Sequence, residues 1–491
     1  MASPQGIATG DIGTLGRVPA PPPPRERPAR RITDLDFPKI AAWVAIGFLI
    51  AVTATTALFA SSGPSILVPR STASFPNWMA GPLHGLLGHL PESRPSLEIL
   101  SSVGLIAMFC AYGMALAFIR TVSMRALWVV VGVLAVLVLL TPPLQLTDVF
   151  DYLGYARLGA LHGLNPYTHV LADMGRDPVN VFSTWHNLHS PYGELWTVLS
   201  YPLGLLPLSV ATWTLKVVTV AAGVVLLWLV AVCARRLGRD ARFPVAFLAL
   251  NPIFIAYALG GFHNDPFMLV ASTAAIALFL DRHDRAAGAL VIVAVAIKFM
   301  ALLILPFMVL VAWRAGRRWR VLQGALLAAV PLVALSLLLF GPTLPNVATQ
   351  TKILTPFSIP NLLGLAVGVG GGTHSVLRDM TVAVAVVTIY QLVRYIRDPT
   401  RDWLAGAGWA TLVLIASASW LMPWYVIWLL PLAALGRSRA LRGAALALTL
   451  FLILTVGPGT TYLLAIHNVS PLHTPAGRES RALEHRLVGG G

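Results

Sequence analysis

Two carboxylates stand where one of the most apolar runs of the chain ends. VVVGVLAVLVLLTPP (129–143) leads into TDVFDYLGYARLGALHGLNPYTHV (147–170), which places Asp148 and Asp151 three residues apart. On a helix an i, i+3 pair shares one face. Two acids so placed raise each other's pKa, serve as a general base and its helper, or hold a cation between them. Tyr152, Tyr155 and Arg157 follow within two turns. A helix cap is the plain structural alternative and suits Asp151; Asp148, hard against the apolar run, reads as a base.

Two further segments carry ionisable groups between or inside apolar runs, where such groups are costly and need a partner. GGFHNDP (260–266) is a tight turn, and Asn-Asp-Pro is good turn chemistry by itself. His263, Asn264 and Asp265 nevertheless supply more hydrogen-bonding groups than a turn requires, suited to an anionic or hydroxyl-rich ligand. Lys298, in AVAIKFMALL (294–303), is expected about two-thirds of the way along a helix, paired with Asp265 or with a phosphate. The aromatic residues of SWLMPWYVIW (419–428), Trp424 among them, read as an interfacial belt or as a sugar platform.

The elements that must position these groups are membrane helices. Of the 491 residues 57% are hydrophobic and 11% charged, and the mean hydropathy is +0.75. Apolar runs near 20 residues, enough for about 30 Å of hydrocarbon, recur along the chain without the alternation of a barrel. The fold class is an all-α polytopic membrane protein of about 13 transmembrane helices. The net charge of +15 does not indicate nucleic acid, because the basic residues gather in short loops such as RRLGRDAR (235–242), RAGRRWR (314–320) and RSRALR (437–442). That pattern marks the cytoplasmic side, and it puts Asp148, the HNDP turn and Lys298 on the extracytoplasmic side.

Residues 1–36 read as a disordered cytoplasmic tail, 37–457 as the membrane domain with an outer loop at about 142–190, and 458–491 as a C-terminal tail. PYGELWTVLSYPLGLLPL (191–208) is too broken by Pro and Gly for a span. Phe243–Gly260 reads as one span, and Ala286–Trp313 as two short segments meeting near Leu305–Pro306. Cys110 and Cys233 both lie in apolar runs and offer no CxxC site. GxxxxGK[ST], HExxH and GxSxG are absent, so nucleotide hydrolysis is not indicated.

DVFDYLGYARLGALHGLNPY (148–167), SPYGELW (190–196), HNDP (263–266), AIKFMALLILP (296–306), TPFSIPN (355–361) and WLMPWYVIWLLP (420–431), in this order, resemble the GT-C superfamily of integral-membrane glycosyltransferases. More closely, they resemble the actinobacterial polyprenol-phosphomannose-dependent α-1,6-mannosyltransferases that extend the mannan core of lipomannan and lipoarabinomannan. The resemblance implies a GT-C-like bundle and Asp148 as the catalytic base; Asp151, three residues on, is a candidate second acid from its spacing alone. It also implies that His263, Asn264, Asp265 and Lys298 face the phosphate and sugar of a polyprenyl-phosphate-linked donor. Tyr152, Arg157, Tyr192 and Trp424 are further candidates for substrate contact. The acceptor implied is a lipid-anchored glycan at the cell membrane. No cofactor is implied; a divalent metal at Asp148 and Asp151 is compatible but not required. The family pattern usually has a small polar residue in place of Asp151 and Pro in place of Glu194. Transfer of arabinose or glucose, an α-1,2 linkage, or lipid-linked sugar transport are the alternatives; a transporter would show repeated halves, which the chain lacks.

Overall fold

The computed structural model describes residues 36–69, 75–87, 94–145, 147–345 and 347–489. The tail expected at 1–36 lies, save Asp36, outside the described residues. Among those described the chain is all helical, with no strand.

The first three long helices are α1 (Phe37–Ser61), α2 (Arg94–Phe118) and α3 (Met124–Leu140). They are followed by α4 (Asp148–Ala160), α5 (Glu194–Gly204), α6 (Leu208–Arg236), α7 (Arg242–Ala249) and α8 (Asp265–Leu280). Next come α9 (Asp284–Ile297), α10 (Leu305–Arg314), α11 (Arg318–Phe340), α12 (His374–Arg397) and α13 (Trp403–Ala416). The chain closes with α14 (Leu430–Leu435), α15 (Arg439–Val456), α16 (Pro458–Ile466) and α17 (Pro475–Val488).

Among the described residues six helices are long and apolar enough to cross a membrane: α1, α2, α6, α11, α12 and α15. At about 1.5 Å per residue even the 18 residues of α15 cover most of a hydrocarbon core about 30 Å thick. α11 shows its apolar side chains outward, with Leu338 84% and Leu327 69% exposed. Such a face is stable against lipid, where it loses no water-ordering penalty by being uncovered.

The elements nearest the polar groups are short or broken. Phe243–Gly260 is not one α-helix: α7 ends at Ala249, and a π-helical turn spans Phe254–Leu259. Pro252 lacks an N–H and crowds the preceding turn, and Asn251 Oδ1 restarts the chain by accepting from Ile253 N and Phe254 N at 3.0 and 3.3 Å. Phe262, at φ 58°, then turns the chain in the left-handed region into His263. The second break corrects the tip expected at Leu305–Pro306. α9 stops at Lys298, whose backbone is extended (φ −156°, ψ 118°), and a 3₁₀ turn over Phe299–Ile304 leads into α10. Pro306 falls in the first turn of α10, where its missing N–H costs nothing. Arg317, just past α10, reaches Asp284 at the start of α9, so the two segments form a hairpin with Lys298 at its tip rather than part-way along a helix.

Small residues let these pieces close up. α11 lies on α9 through Gly324, where an added Cβ would stand 1.8 Å from Arg285 O, and Gly288, where it would stand 2.1 Å from Val321 O. α5, too short to cross, is wedged against the hairpin tip: a Cβ on Gly193 would meet Ala296 O at 2.2 Å and Ile297 O at 2.7 Å. The basic segments join one another at the end of the bundle away from Lys298. Arg242 bonds Arg120 O, Arg239 bonds Leu435 O, Arg236 pairs with Asp281, and Arg314 bonds Ile396 O. Residues 458–489 include two helices, and α17 docks on the loop after α4 through Asn187 N to Leu487 O at 2.8 Å.

Replacing Gly324 by Ala should force α11 away from α9, at a cost of about 1–3 kcal/mol. A lower melting temperature of the detergent-solubilised protein would show it, and unchanged melting would mean that the two helices are not packed this closely.

Candidate active site

Asp148, Asp151, Tyr152 and Tyr155 occupy positions i, i+3, i+4 and i+7 of α4, and all four line one cavity of about 730 Å³. Thr147, just before the helix, is fixed to the next loop by a 2.6 Å contact between its Oγ1 and Thr184 Oγ1. Lys298 enters the same cavity from the hairpin tip, and Glu194 from the start of α5. A 3₁₀ turn, Pro423–Trp428, supplies an aromatic floor of Trp424, Tyr425 and Trp428. Trp424 and Trp428 are nearly buried, at 4% and 6% exposed, which corrects the reading of this segment as an interfacial belt. Tyr192 also lines the cavity and packs on Tyr152, with ring centroids 4.7 Å apart.

The HNDP turn stands one layer behind. His263, Asn264 and Asp265 are fully buried, and none of them lines the cavity. Asp265 Oδ1 accepts from Lys298 Nζ at 2.7 Å and from the indole N–H of Trp428. Lys298 Nζ also lies 5.5 and 5.2 Å from the ring centres of Tyr425 and Trp428, within cation–π range. Asn264 Oδ1 faces Tyr152 Oη at 3.4 Å and Lys298 Nζ at 3.5 Å. The ring of His263 stacks on Trp424 at 3.7 Å, and its Nδ1 is 3.5 Å from Asp148 Oδ2. The turn thus orients the two charged groups of the cavity, and its own side chains have no open face to it.

Burial pushes the Asp148 carboxyl up to about 7, with Lys298 pulling it down and Asp265 pushing it up. Burial, then the charge of Lys298, drive His263 well below its ordinary range, so its imidazole is neutral. Lys298 is therefore the cation at this cavity among the described residues. Asp151 is 1% exposed and directed at the loop backbone, with Oδ1 accepting from Trp185 N at 3.4 Å. Burial and then Asp148 hold its carboxyl well above the usual range, against hydrogen bonds from Trp185, Thr184 and Ser183. It is not the cap of α4, which begins three residues earlier.

Arg157 is turned away from the cavity. It grips Asp177 at 2.8 and 3.1 Å and reaches the carbonyls of Gly204 and Leu206. Burial would raise the Asp177 carboxyl, but Arg157, His162 and the Val179 N–H together bring it below its ordinary value. Arg378 lies in an exposed contact with its neighbour Asp379. No group of three or more His, Cys, Asp or Glu placed to hold a metal occurs among the described residues.

Trp185 and Lys216 escape sequence reasoning. Trp185 meets Trp420, a member of the aromatic segment SWLMPWYVIW, in the cavity wall. Lys216, buried inside α6, bonds Thr141 O and Oγ1 and sits between the rings of Trp213 and Phe262. It joins the end of α3, which leads to Asp148, to the turn that carries His263.

The family description "Alpha-(1->6)-mannopyranosyltransferase, N-terminal domain" matches residues 45–314, and "MptB C-terminal domain" matches residues 358–470. Alpha-(1->6)-mannopyranosyltransferase A of Mycobacterium tuberculosis is 27% identical over 362 residues, covering 65% of this chain and 67% of the relative. A probable alpha-(1->6)-mannopyranosyltransferase of Mycolicibacterium smegmatis is 24% identical over 367 residues, covering 64% and 65%. Alpha-(1->6)-mannopyranosyltransferase A of Corynebacterium glutamicum is 28% identical over 173 residues, covering 34% and 35%. The chain thus spans about two thirds of the length of the first two and about a third of the last. No solved structure matches it significantly.

Lys298→Met should destabilise the protein by about 3–5 kcal/mol, because it strands the Asp265 carboxylate without its cation. Adding Asp265→Asn should recover most of that loss. A double-mutant cycle of melting in detergent checks the pair, and additive losses would mean that the two residues act independently.

Proposed function

Because the chain belongs to the alpha-(1->6)-mannopyranosyltransferase family, we propose that it moves a mannosyl residue from a polyprenyl-phosphate-linked donor to a lipid-anchored glycan. The linkage made is α-1,6, with inversion at the anomeric carbon, and the product belongs to the lipomannan and lipoarabinomannan core. The observation that carries this reading is one cavity with a carboxylate, Asp148, and a cation, Lys298, whose further wall is apolar and runs out along α11 through Leu332, Val333 and Leu337. A polyprenyl phosphosugar has that pattern: an isoprenoid for the lipid-facing wall, a phosphate for Lys298, and a sugar between.

The chemistry follows from the geometry. Asp148 takes the proton of the acceptor hydroxyl as its oxygen attacks the anomeric carbon. The bond from that carbon to the phosphate oxygen breaks, through an oxocarbenium-like state as in glycosidases. The pair of electrons leaves with polyprenyl phosphate, whose charge Lys298 stabilises. Attack from the face opposite the leaving group converts a β-linked donor into an α-linked product. The leaving group is already an anion, so no strong general acid is needed. Neutral His263 steadies Asp148, and Asp265 holds Lys298 in place. Tyr152, Tyr192 and Trp424 line the sugar-sized space, while Arg157 braces the loop.

Among the described residues six long apolar helices and five shorter ones make eleven; taking α9 and the broken Phe243–Gly260 segment as spans as well gives the thirteen of the GT-C-like reading. The joined basic segments favour a cytoplasmic end there and an extracytoplasmic cavity at the other.

Asp148→Asn should lower transfer at least about a hundredfold in membranes supplied with labelled polyprenyl-phosphomannose, without lowering the melting temperature, since burial already disfavours the charge. Substantial residual transfer would remove Asp148 as the base. The base works ionised, so with its carboxyl at about 7 the wild-type rate should fall as pH drops below 7 and level off above about 8. A rate flat between pH 5 and 8 would place the base elsewhere.

A further inference from the structure

At the end built from the loop after α4 the cavity is bounded by Trp185 and Trp420, side chains from distant parts of the chain. They pack edge to face with ring centroids 5.1 Å apart, and both rings are half-buried and line the cavity. Each is fixed from behind. Asp151 Oδ1 accepts the backbone N–H of Trp185, and two residues on, Asn187 bonds Leu487 O and Arg486 O at the end of α17. On the other wall, Ser419 Oγ donates to Thr351 O at 2.7 Å and Ser419 O accepts from Thr355 N at 3.0 Å. Leu354 N donates to Ser480 Oγ of α17 at 2.7 Å. One C-terminal helix therefore ties both walls of the mouth.

Rigid indoles with one open face suit a pyranose ring, whose C–H face is apolar while its hydroxyls stay wet. The donor does not need this end: its phosphate belongs at Lys298 and its isoprenoid along α11. A hydroxyl that gives its proton to Asp148 must approach from the opposite side, past the two tryptophans. We propose that Trp185 and Trp420 form the acceptor subsite, holding the terminal pyranose ring of the acceptor glycan, and that Asp151 acts as the positioning residue for Trp185. This rests on the mannosyl-transfer reading given above. It also gives Asp151 a use that the proton transfer does not.

The test uses full-length protein in detergent, polyprenyl-phosphomannose as donor and a soluble α-1,6-linked mannobioside as acceptor. Trp185→Ala and Trp420→Ala should each raise the acceptor KM about three- to tenfold at unchanged donor KM, with the Phe variants falling between. An unchanged acceptor KM in the folded Ala variants, or a donor KM rising in step, overturns the subsite. Should an Ala variant fail to fold, its Phe counterpart is paired with quenching of indole fluorescence by the mannobioside in the absence of donor. Saturable quenching that Trp420→Phe weakens supports the subsite, and no quenching overturns it. A wild type that transfers no mannose defeats the transfer reading itself, whereas an active wild type with indifferent Ala variants removes only the subsite.

Discussion

A lysine at the tip of a hairpin buried in a membrane protein must be given a negative charge, because an isolated ammonium in a low-dielectric interior costs several kcal/mol. Here the charge is Asp265, fully buried and holding both Lys298 and the indole of Trp428. Much of the local architecture follows from that contact. α9 must break at Lys298 so that the side chain can leave the helix. The HNDP turn must come up from behind to meet it, and the Pro423–Trp428 segment must close the third side. Asp265 spends one oxygen on this network, and Lys298, still 18% exposed, keeps part of its charge available to the cavity.

The second constraint is the placing of Asp148 opposite that cation. α4 begins at Asp148 itself, after a loop held at several points. Leu144 N donates to Gly260 O at 2.9 Å, Lys216 ties Thr141 to the ring of Phe262, and Thr147 meets Thr184. Each bond joins the segment before Asp148 to the turn before His263 or to the outer loop. Asp148 and the groups around it are thereby fixed to one another by a backbone hydrogen bond and by side-chain contacts. Precision of that kind is what holding reacting groups in place demands of a scaffold.

Asp148 and Asp151 show how the same side chain takes different work one helical turn apart. Both are shielded, but Asp148 opens to the cavity at 19% exposure and faces a neutral imidazole. Asp151 is turned to the backbone of the Trp185 loop. The aromatic segment divides in the same manner: Trp424 and Trp428 back the charged pair, whereas Trp420 reaches the mouth.

The sequence by itself determined the class of protein, the position of the acid pair at the end of an apolar run, and the helical register that puts Asp148, Asp151, Tyr152 and Tyr155 on one face. It also marked Lys298 as a charge in need of a partner, Asp265 or a phosphate, and a break within Ala286–Trp313. These are local properties of composition, periodicity and charge, and they survive any packing. Only the tertiary structure decided that the break falls at Lys298 and not at Pro306, that His263 and Asn264 stand behind the cavity, that Arg157 is committed to Asp177, and that Trp185 meets Trp420. The reason is physical: whether a polar group faces a cavity or supports its wall depends on which distant helix covers it. In this fold that is settled by close glycine contacts such as Gly193 on Ala296 and Gly324 on Arg285, which no single segment contains.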